Sequence, residues 1–485
     1  DILRGEWGFK GAIVSDYDAI EQLVYLHHVA ANNSDAAIRA LHAGVDADLP
    51  DGEAYKTLTA AVDAGKVSQK QIDDAVRRVL TMKFDARLFD HPYYDAAAAE
   101  AVTENADAQA VALKAAREVP VLLKNDGTLP LSRGIKTLAV IGPNAAPVRL
   151  GGYYGTPNHS VSILDGIRAK AGNTVKIVTA EGVKITENDD WWADKVTLAS
   201  PAENEKLIKQ AVDVARGADA VVLVIGGNAQ TSREAWGPDH WPHPPGAGHP
   251  GDRDSLKLVG QQQALADALF ALGKPVVVVL INGRPLAVVD VATHANALIE
   301  GWYMGQAGGT AMADILFGDV DPSGHLPVTI PRSVGQLPIF YDQKPSAHRD
   351  YLFSSTEPLF PFGYGLSYTS FDVGAPRLSS ASIATDGTVD VSVDVRNTGK
   401  RAGADVVQLY IRDEVSSVTR PVKELKGFER VMLAPGESRT VHFKLGPQAL
   451  GFWNEQMKRV VEPGLFDIMS GDNSVDLKTA KLTVQ

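Results

Sequence analysis

The chain contains no cysteine. Disulfides, thiolate metal sites and cysteine nucleophiles are therefore excluded, while the compartment stays open, since secreted chains can also lack cysteine. No stretch approaches the roughly 18–20 apolar residues that cross a bilayer. A basic excess is also missing: 47 Lys and Arg face 59 Asp and Glu, for a formal charge of −12. A phosphate backbone calls for a basic face, so nucleic acid is not an expected partner, and a neutral ligand suits the chain better. Several signatures are absent too. There is no G-x-x-x-x-G-K-[ST] loop. Ala139–Asn144 (AVIGPN) lacks the G-x-G-x-x-G spacing of a dinucleotide site. Ser160, Ser162 and Ser232 lack the G-x-S-x-G elbow. The opening Asp1-Ile2-Leu3-Arg4 has neither Met nor a signal-type apolar stretch, and reads as a truncated or processed end with any targeting signal upstream.

What is present is ordinary for globular chains: 485 residues, 45% hydrophobic and 22% charged, enough for about three domains. Residues 1–90 read as two strand-then-helix units. Gly11–Ser15 (GAIVS) is an apolar strand ending at Asp16, Ala43–Leu49 (AGVDADL) is a second strand, and helical patterning covers Ala54–Phe84. Carboxylate-rich loops after parallel strands are where α/β barrels carry chemistry. Two units cannot close an eight-stranded barrel, so the reading is the last two β/α units of a truncated (β/α)8 barrel.

Residues 91–106 read as a linker. Residues 107–335 alternate helices with short, continuously apolar strands at Thr137–Ile141, Lys176–Thr179, Ala220–Ile225, Pro275–Ile281 and Ala297–Trp302. That pattern marks a parallel α/β sandwich. One of its helices is expected over Glu203–Arg216, from apolar residues at 3–4 spacing. Residues 336–375, rich in aromatics, Pro and Gly, read as a connecting segment. From 376 to 485 the period becomes two, at Thr388–Val395, Val406–Ile411, Thr440–Leu445 and Leu465–Met469, with a turn signal at Asn397–Lys400. This is an all-β sandwich of the fibronectin type III kind.

Two carboxylates stand out. Asp16 follows a strand directly, well placed to act on a bound substrate, although Asp16 or Asp18 would equally cap the next helix. Glu234 lies in the loop 226–250, which also holds Trp236, Trp241, His240, His243 and His249. Loops of about 25 residues are uncommon in compact domains unless functional or disordered. Indole faces stack on sugar rings, and an apolar setting raises a Glu pKa toward that of a useful acid. On local sequence alone a solvated loop Glu fits better. The three histidines, separated by prolines, do not place ligands on one helical face, so no metal is expected.

Several motifs point one way together. Lys10–Ile20 (KGAIVSDYDAI) resembles the nucleophile segment of glycoside hydrolase family 3, and His42–Pro50 (HAGVDADLP) its eighth barrel strand. Ser232–Trp236 (SREAW), followed by Gly251–Leu256 (GDRDSL), resembles the acid/base loop of family members of the β-glucosidase and β-xylosidase kind. Leu359–Tyr368 (LFPFGYGLSY) and Pro421–Phe428 (PVKELKGF) resemble marks flanking and within the fibronectin-like domain. The motifs cover nearly the whole chain in the family's order.

The resemblance implies a retaining, exo-acting β-glucosidase without a cofactor. Asp16 would be the nucleophile and Glu234 the acid/base, with Tyr17 and Trp236 beside the leaving group. Arg253 and Asp254 would brace the loop through an ion pair. Retention sets two carboxyl groups about 5–5.5 Å apart, and here they lie on different domains. The implied substrates are oligosaccharides or aryl and alkyl β-glycosides, with no nucleic acid or membrane partner, in a secreted or periplasmic setting. A β-xylosidase is the neighbouring alternative. For want of the other barrel strands, the isolated chain is expected to be poorly active or unstable. A noncatalytic carbohydrate-binding fragment is the alternative of another class.

Overall fold

A computed structural model describes residues 2–193, 195–234, 251–346 and 350–485. They form two units, one ending at Thr103 and the other running from Glu104 to Gln485.

In the first unit, β1 (Val14–Tyr17) leads into α1 (Ala19–Tyr25) and α2 (Asn33–Ala43). Next, β2 (Ala47–Leu49) leads into α3 (Leu58–Asp63) and α4 (Gln69–Asp85), and α5 (Ala96–Val102) comes last. The two strands pair in parallel, Val14 opposite Ala47 and Tyr17 opposite Leu49, as a strand–helix–strand connection allows. Both strands sit later than the sequence pattern placed them. Pairing begins at Val14, so Asp16 lies inside β1 rather than past its end. Ala43 is the last residue of α2, and Gly44 closes that helix in the left-handed region at φ 98°, as C-terminal glycines do. A capping box between Ser68 and Gln71 starts α4. Small residues, among them Ala36, Ala37, Ala61 and Ala75, let these helices pack closely around Leu41 and Leu58.

The second unit opens with α6 (Ala106–Glu118) and β3 (Val121–Asn125). There follow β4 (Thr137–Ile141), α7 (Ile163–Ala171), β5 (Lys176–Ala180), α8 (Pro201–Arg216), β6 (Ala220–Gly226), α9 (Gln262–Phe270), β7 (Val276–Ile281), α10 (Val289–His294), β8 (Ala297–Glu300) and α11 (Gly308–Leu316). The sheet order is β3-β8-β7-β6-β4-β5. Five strands run parallel. The edge strand β3, absent from the sequence reading, is antiparallel to β8, so the α/β sandwich has a mixed sheet.

Each strand feeds two cores because successive side chains alternate faces. Val221, Leu223 and Ile225 of β6 pack with Ala211 and Ala215 of α8 and with Leu265 and Leu269 of α9. Its Ala220, Val222 and Val224 pack instead with Ile167 of α7 and with Met312 and Ile315 of α11. On that second face, α7 and α11 touch backbone to backbone. A Cβ on Gly166 would lie 2.1 Å from the Gly309 carbonyl oxygen, and one on Gly309 would lie 2.0 Å from that of Ser162.

The segment 336–375 is tied to this domain, not a loose linker. Leu366 N–H donates to the Leu122 carbonyl, extending the β3 edge, and Ile330 bridges Phe360. Asp321 accepts from Ser367 Oγ and Tyr368 N. The β-sandwich also begins inside it. It comprises β9 (Phe371–Val373), β10 (Arg377–Leu378), β11 (Ser382–Ile383), β12 (Val389–Asn397), β13 (Gly403–Asp413), β14 (Glu424–Leu433), β15 (Ser438–Leu445), β16 (Phe452–Trp453), β17 (Arg459–Val460), β18 (Gly464–Gly471) and β19 (Lys478–Val484). One sheet centres on β12, paired with β9, β10 and β15. The other has the order β11-β19-β18-β13-β14. Val389, Val391, Val393 and Val395 point inward from β12 to meet Leu409, Ile411 and Ile468 of the opposite sheet, the inward alternation of a two-sheet sandwich.

Candidate active site

In the first unit, Ser15 Oγ accepts from the Leu49 N–H at 2.8 Å, which pins the middle of β1 to β2. Beyond it the Asp16 carboxylate is exposed and accepts from the N–H of Tyr17 at 2.8 Å. Tyr17 is 64% exposed. Asp16 does not cap α1. Asp18 occupies the cap position, at φ 56° and without a side-chain cap bond, and its N–H donates to the Leu49 carbonyl. That left-handed residue, tolerated by Asp, turns the chain out of the strand and leaves Asp16 presented at its end.

The support beneath this strand end was not singled out from the sequence. Asp46 is buried and accepts from the Ile13 N–H (2.9 Å), Arg4 Nη2 (2.7 Å) and Arg78 Nη2 (2.7 Å). It thereby joins the approach to β1 with the loop before β2 and with α4. Asp48 on β2 and Glu21 on α1 are buried as well, and both accept from the Ala54 N–H, at 3.0 and 2.9 Å. Burial pushes both carboxyls above their usual range. The charge of Asp48 adds to the rise at Glu21, and that of Asp18 to the rise at Asp48.

In the second unit, Glu234 follows the 3-10 turn Gln230–Ser232 at the C-terminal end of β6. Its base is anchored by Arg233, 1% exposed. That guanidinium donates to the carbonyls of Ala193 (2.7 Å) and Asp190 (3.2 Å) and lies 5.2 Å from the Trp191 ring centroid. With Arg233 held inward, the next side chain turns outward: the Glu234 carboxylate is 74% exposed, with Arg284 Nη2 3.8 Å from its Oε1. Arg284 also donates to the Arg233 carbonyl at 2.5 Å. Ser232 Oγ meets the Tyr303 hydroxyl at 2.7 Å. Residues following β6, β7 and β8 thus converge on the turn that carries Glu234, at the C-terminal ends of the strands where α/β folds place their ligands.

Arg253 braces its loop differently from the expectation. It donates to the Lys257 carbonyl at 2.5 Å and makes no ion pair with Asp254 among the described residues. Its pKa is lowered by burial and by the neighbouring Arg284 charge. Trp236, Trp241, His240, His243 and His249 lie outside the described residues. Among the described residues no group of three or more His, Asp or Glu is placed to hold a metal ion.

The sequence models of known families agree with this architecture. The Glycosyl hydrolase family 3 N terminal domain matches residues 1–82 and its C-terminal domain residues 120–368. A Fibronectin type III-like domain matches 405–474. The chain belongs to glycoside hydrolase family 3. It is 42% identical, over 99% of its length, to a periplasmic β-glucosidase of Salmonella typhimurium, and 42% identical over its whole length to a β-xylosidase of Formosa agariphila. It spans 64% and 66% of those two relatives. Its fold superposes over its full length on 65% of a solved β-glucosidase chain from Erythrobacter marinus, with TM-score 0.95 and 45% identity.

Proposed function

We propose that this chain works in a retaining, exo-acting β-glucosidase that releases glucose from non-reducing ends by double displacement. Asp16 is the nucleophile and Glu234 the general acid/base, with Tyr17 and Trp236 on the leaving-group side. Residues 1–90 are the last two β/α units of a (β/α)8 barrel in this reading. The observation that carries it is the placement of Asp16, exposed beside Tyr17 at the end of a parallel strand in the segment matched by the family's N-terminal domain. An ionised Asp16 attacks the anomeric carbon while Glu234 protonates the departing oxygen. Glu234 then takes a proton from the water that releases the sugar. None of these steps calls on a cofactor. The name of the Salmonella relative supports a periplasmic or secreted setting.

A second reading, β-xylosidase, is supported by the equal identity to the Formosa enzyme. Nitrophenyl β-glucoside and β-xyloside, assayed side by side, separate the two. The mechanism is tested by Asp16→Asn, in this chain and in a form extended to a whole barrel. A loss of about 10³-fold or more supports the assignment, and undiminished turnover in the extended form removes it. Covalent labelling of Asp16 by a fluorosugar excludes a noncatalytic carbohydrate-binding role.

A further inference from the structure

Glu300 ends β8 on the same sheet edge as the Glu234 turn and is 1% exposed. Its two oxygens serve two loops. Oε2 accepts from Asn282 Nδ2 at 3.3 Å, in the loop after β7, and Oε1 accepts from the N–H of Trp302 at 3.0 Å, in the loop after β8. Trp302 sits at φ 52°, a region that bulky residues rarely adopt, and the bond from its N–H to Glu300 holds it there. From Asn282 the route continues outward. The same Nδ2 donates to the Arg284 carbonyl at 2.9 Å. The Arg284 guanidinium then reaches the Arg233 carbonyl and faces the Glu234 carboxylate. On the other branch, the loop after Trp302 returns to the same turn through Tyr303 and Ser232.

We propose that Glu300 is a positioning residue for the acid/base step, fixing through Asn282 and Trp302 the two loops whose Arg284 and Tyr303 hold the turn that carries Glu234, Arg284 beside its carboxylate and Tyr303 at Ser232. The inference rests on Glu234 being the acid/base. Neutrality is part of the design: burial pushes the Glu300 carboxyl up to about 8. No second negative charge therefore stands behind Arg284, and its cation is left to face Glu234. A glutamine would keep the shape and the neutrality. An alanine would remove both acceptors.

The test compares kcat/KM for a dinitrophenyl β-glucoside, whose leaving group departs without a proton, with that for an alkyl β-glucoside, which needs one. A displaced acid weakens only the second. For Glu300→Ala the alkyl substrate is expected to lose about 10- to 100-fold more than the dinitrophenyl one, and Glu300→Gln to restore the wild-type ratio. Equal loss on both substrates, or no loss on either, overturns the proposal. If Glu300→Ala does not fold, Asn282→Ala paired with Tyr303→Phe cuts both branches one link further out, and a folded double variant with an unchanged ratio is equally fatal. Glu234→Gln separates the two claims. If it shows no leaving-group dependence, the acid/base reading itself fails. If it does while Glu300→Ala does not, only the positioning role falls.

Discussion

Arg233 shows how a single residue can set the direction of its neighbour. The two Nη groups of its fork reach carbonyls about forty positions earlier in the chain, those of Asp190 and Ala193, so the turn Gln230–Ser232 is tethered at its exit. Arg233→Ala would orphan both acceptors and leave a void in a closed site, at a cost of about 2–4 kcal/mol, read from the denaturant midpoint. Arg233→Lys should recover only part of this, since an ammonium cannot reproduce the planar fork. Nothing in SREAW signals this role, because the partners are backbone atoms far away in sequence. Glu300 was not singled out from the sequence either, yet it left a signal there: a carboxylate inside the apolar run ALIEGW calls for something to pair with it. Asp16 and Glu234 stand out in the sequence for the opposite reason, since each falls where an apolar strand gives way to a polar loop.

Among the elements, the parallel strands were the easiest to find. VVLVI and VVVVLI are buried on both faces, and such runs read as strands without any need for alternation. β3 escaped because VLL is a short apolar run separated from a helix of thirteen residues by Val119 and Pro120 alone, and so short a run is ambiguous by periodicity. β14 escaped because five of its first seven residues are charged or Gly, and all seven are partly or fully exposed. Close approach between elements is likewise invisible in one dimension. Gly309→Ala would drive a methyl into the Ser162 carbonyl, forcing α7 and α11 apart. A loss of about 1–3 kcal/mol is expected, measured by thermal unfolding. In the first unit, Asp46→Ala leaves Arg4 and Arg78 without their shared carboxylate. About 3–5 kcal/mol should be lost from that unit, seen as early exposure of β1 amides to hydrogen exchange.

Over the whole molecule, buried carboxyls and exposed ion pairs pull the pH dependence in opposite directions. Glu300 is raised from 4.5 to about 8. Its contribution is complete below pH 4.5 and declines as pH climbs to about 8, on the order of 5 kcal/mol in all. Burial raises Glu21, Asp48, Asp413 and Asp472 in the same sense. Against them, Asp219 is lowered by the N–H groups of Thr137 and Lys136, and Asp394 falls to about 2 beside Arg377. The stability these two provide is present at neutral pH and disappears as acid protonates them. The unfolding temperature should therefore peak near pH 5, by these opposing signs, and decline on both sides. Glu300→Gln should flatten the alkaline decline and leave the acid side unchanged; an unaltered alkaline slope would show that Glu300 ionises freely in the fold.

The antiparallel edge strand also has a history in time. Val121 pairs with Glu300, and Leu122 with Leu366, so both neighbours of β3 are synthesised long after it. While the chain grows, an apolar segment with unpaired N–H and C=O groups waits for most of its domain to be made. Exposed strands of that kind are templates for wrong pairing between nascent chains. Nearby charges, among them Lys124 within the strand and Asp126 just beyond it, discourage that pairing. A domain whose first strand closes last commits itself only when it is nearly finished, so its yield in the cell should depend on how quickly residues up to 366 leave the ribosome as much as on the stability of the finished sheet.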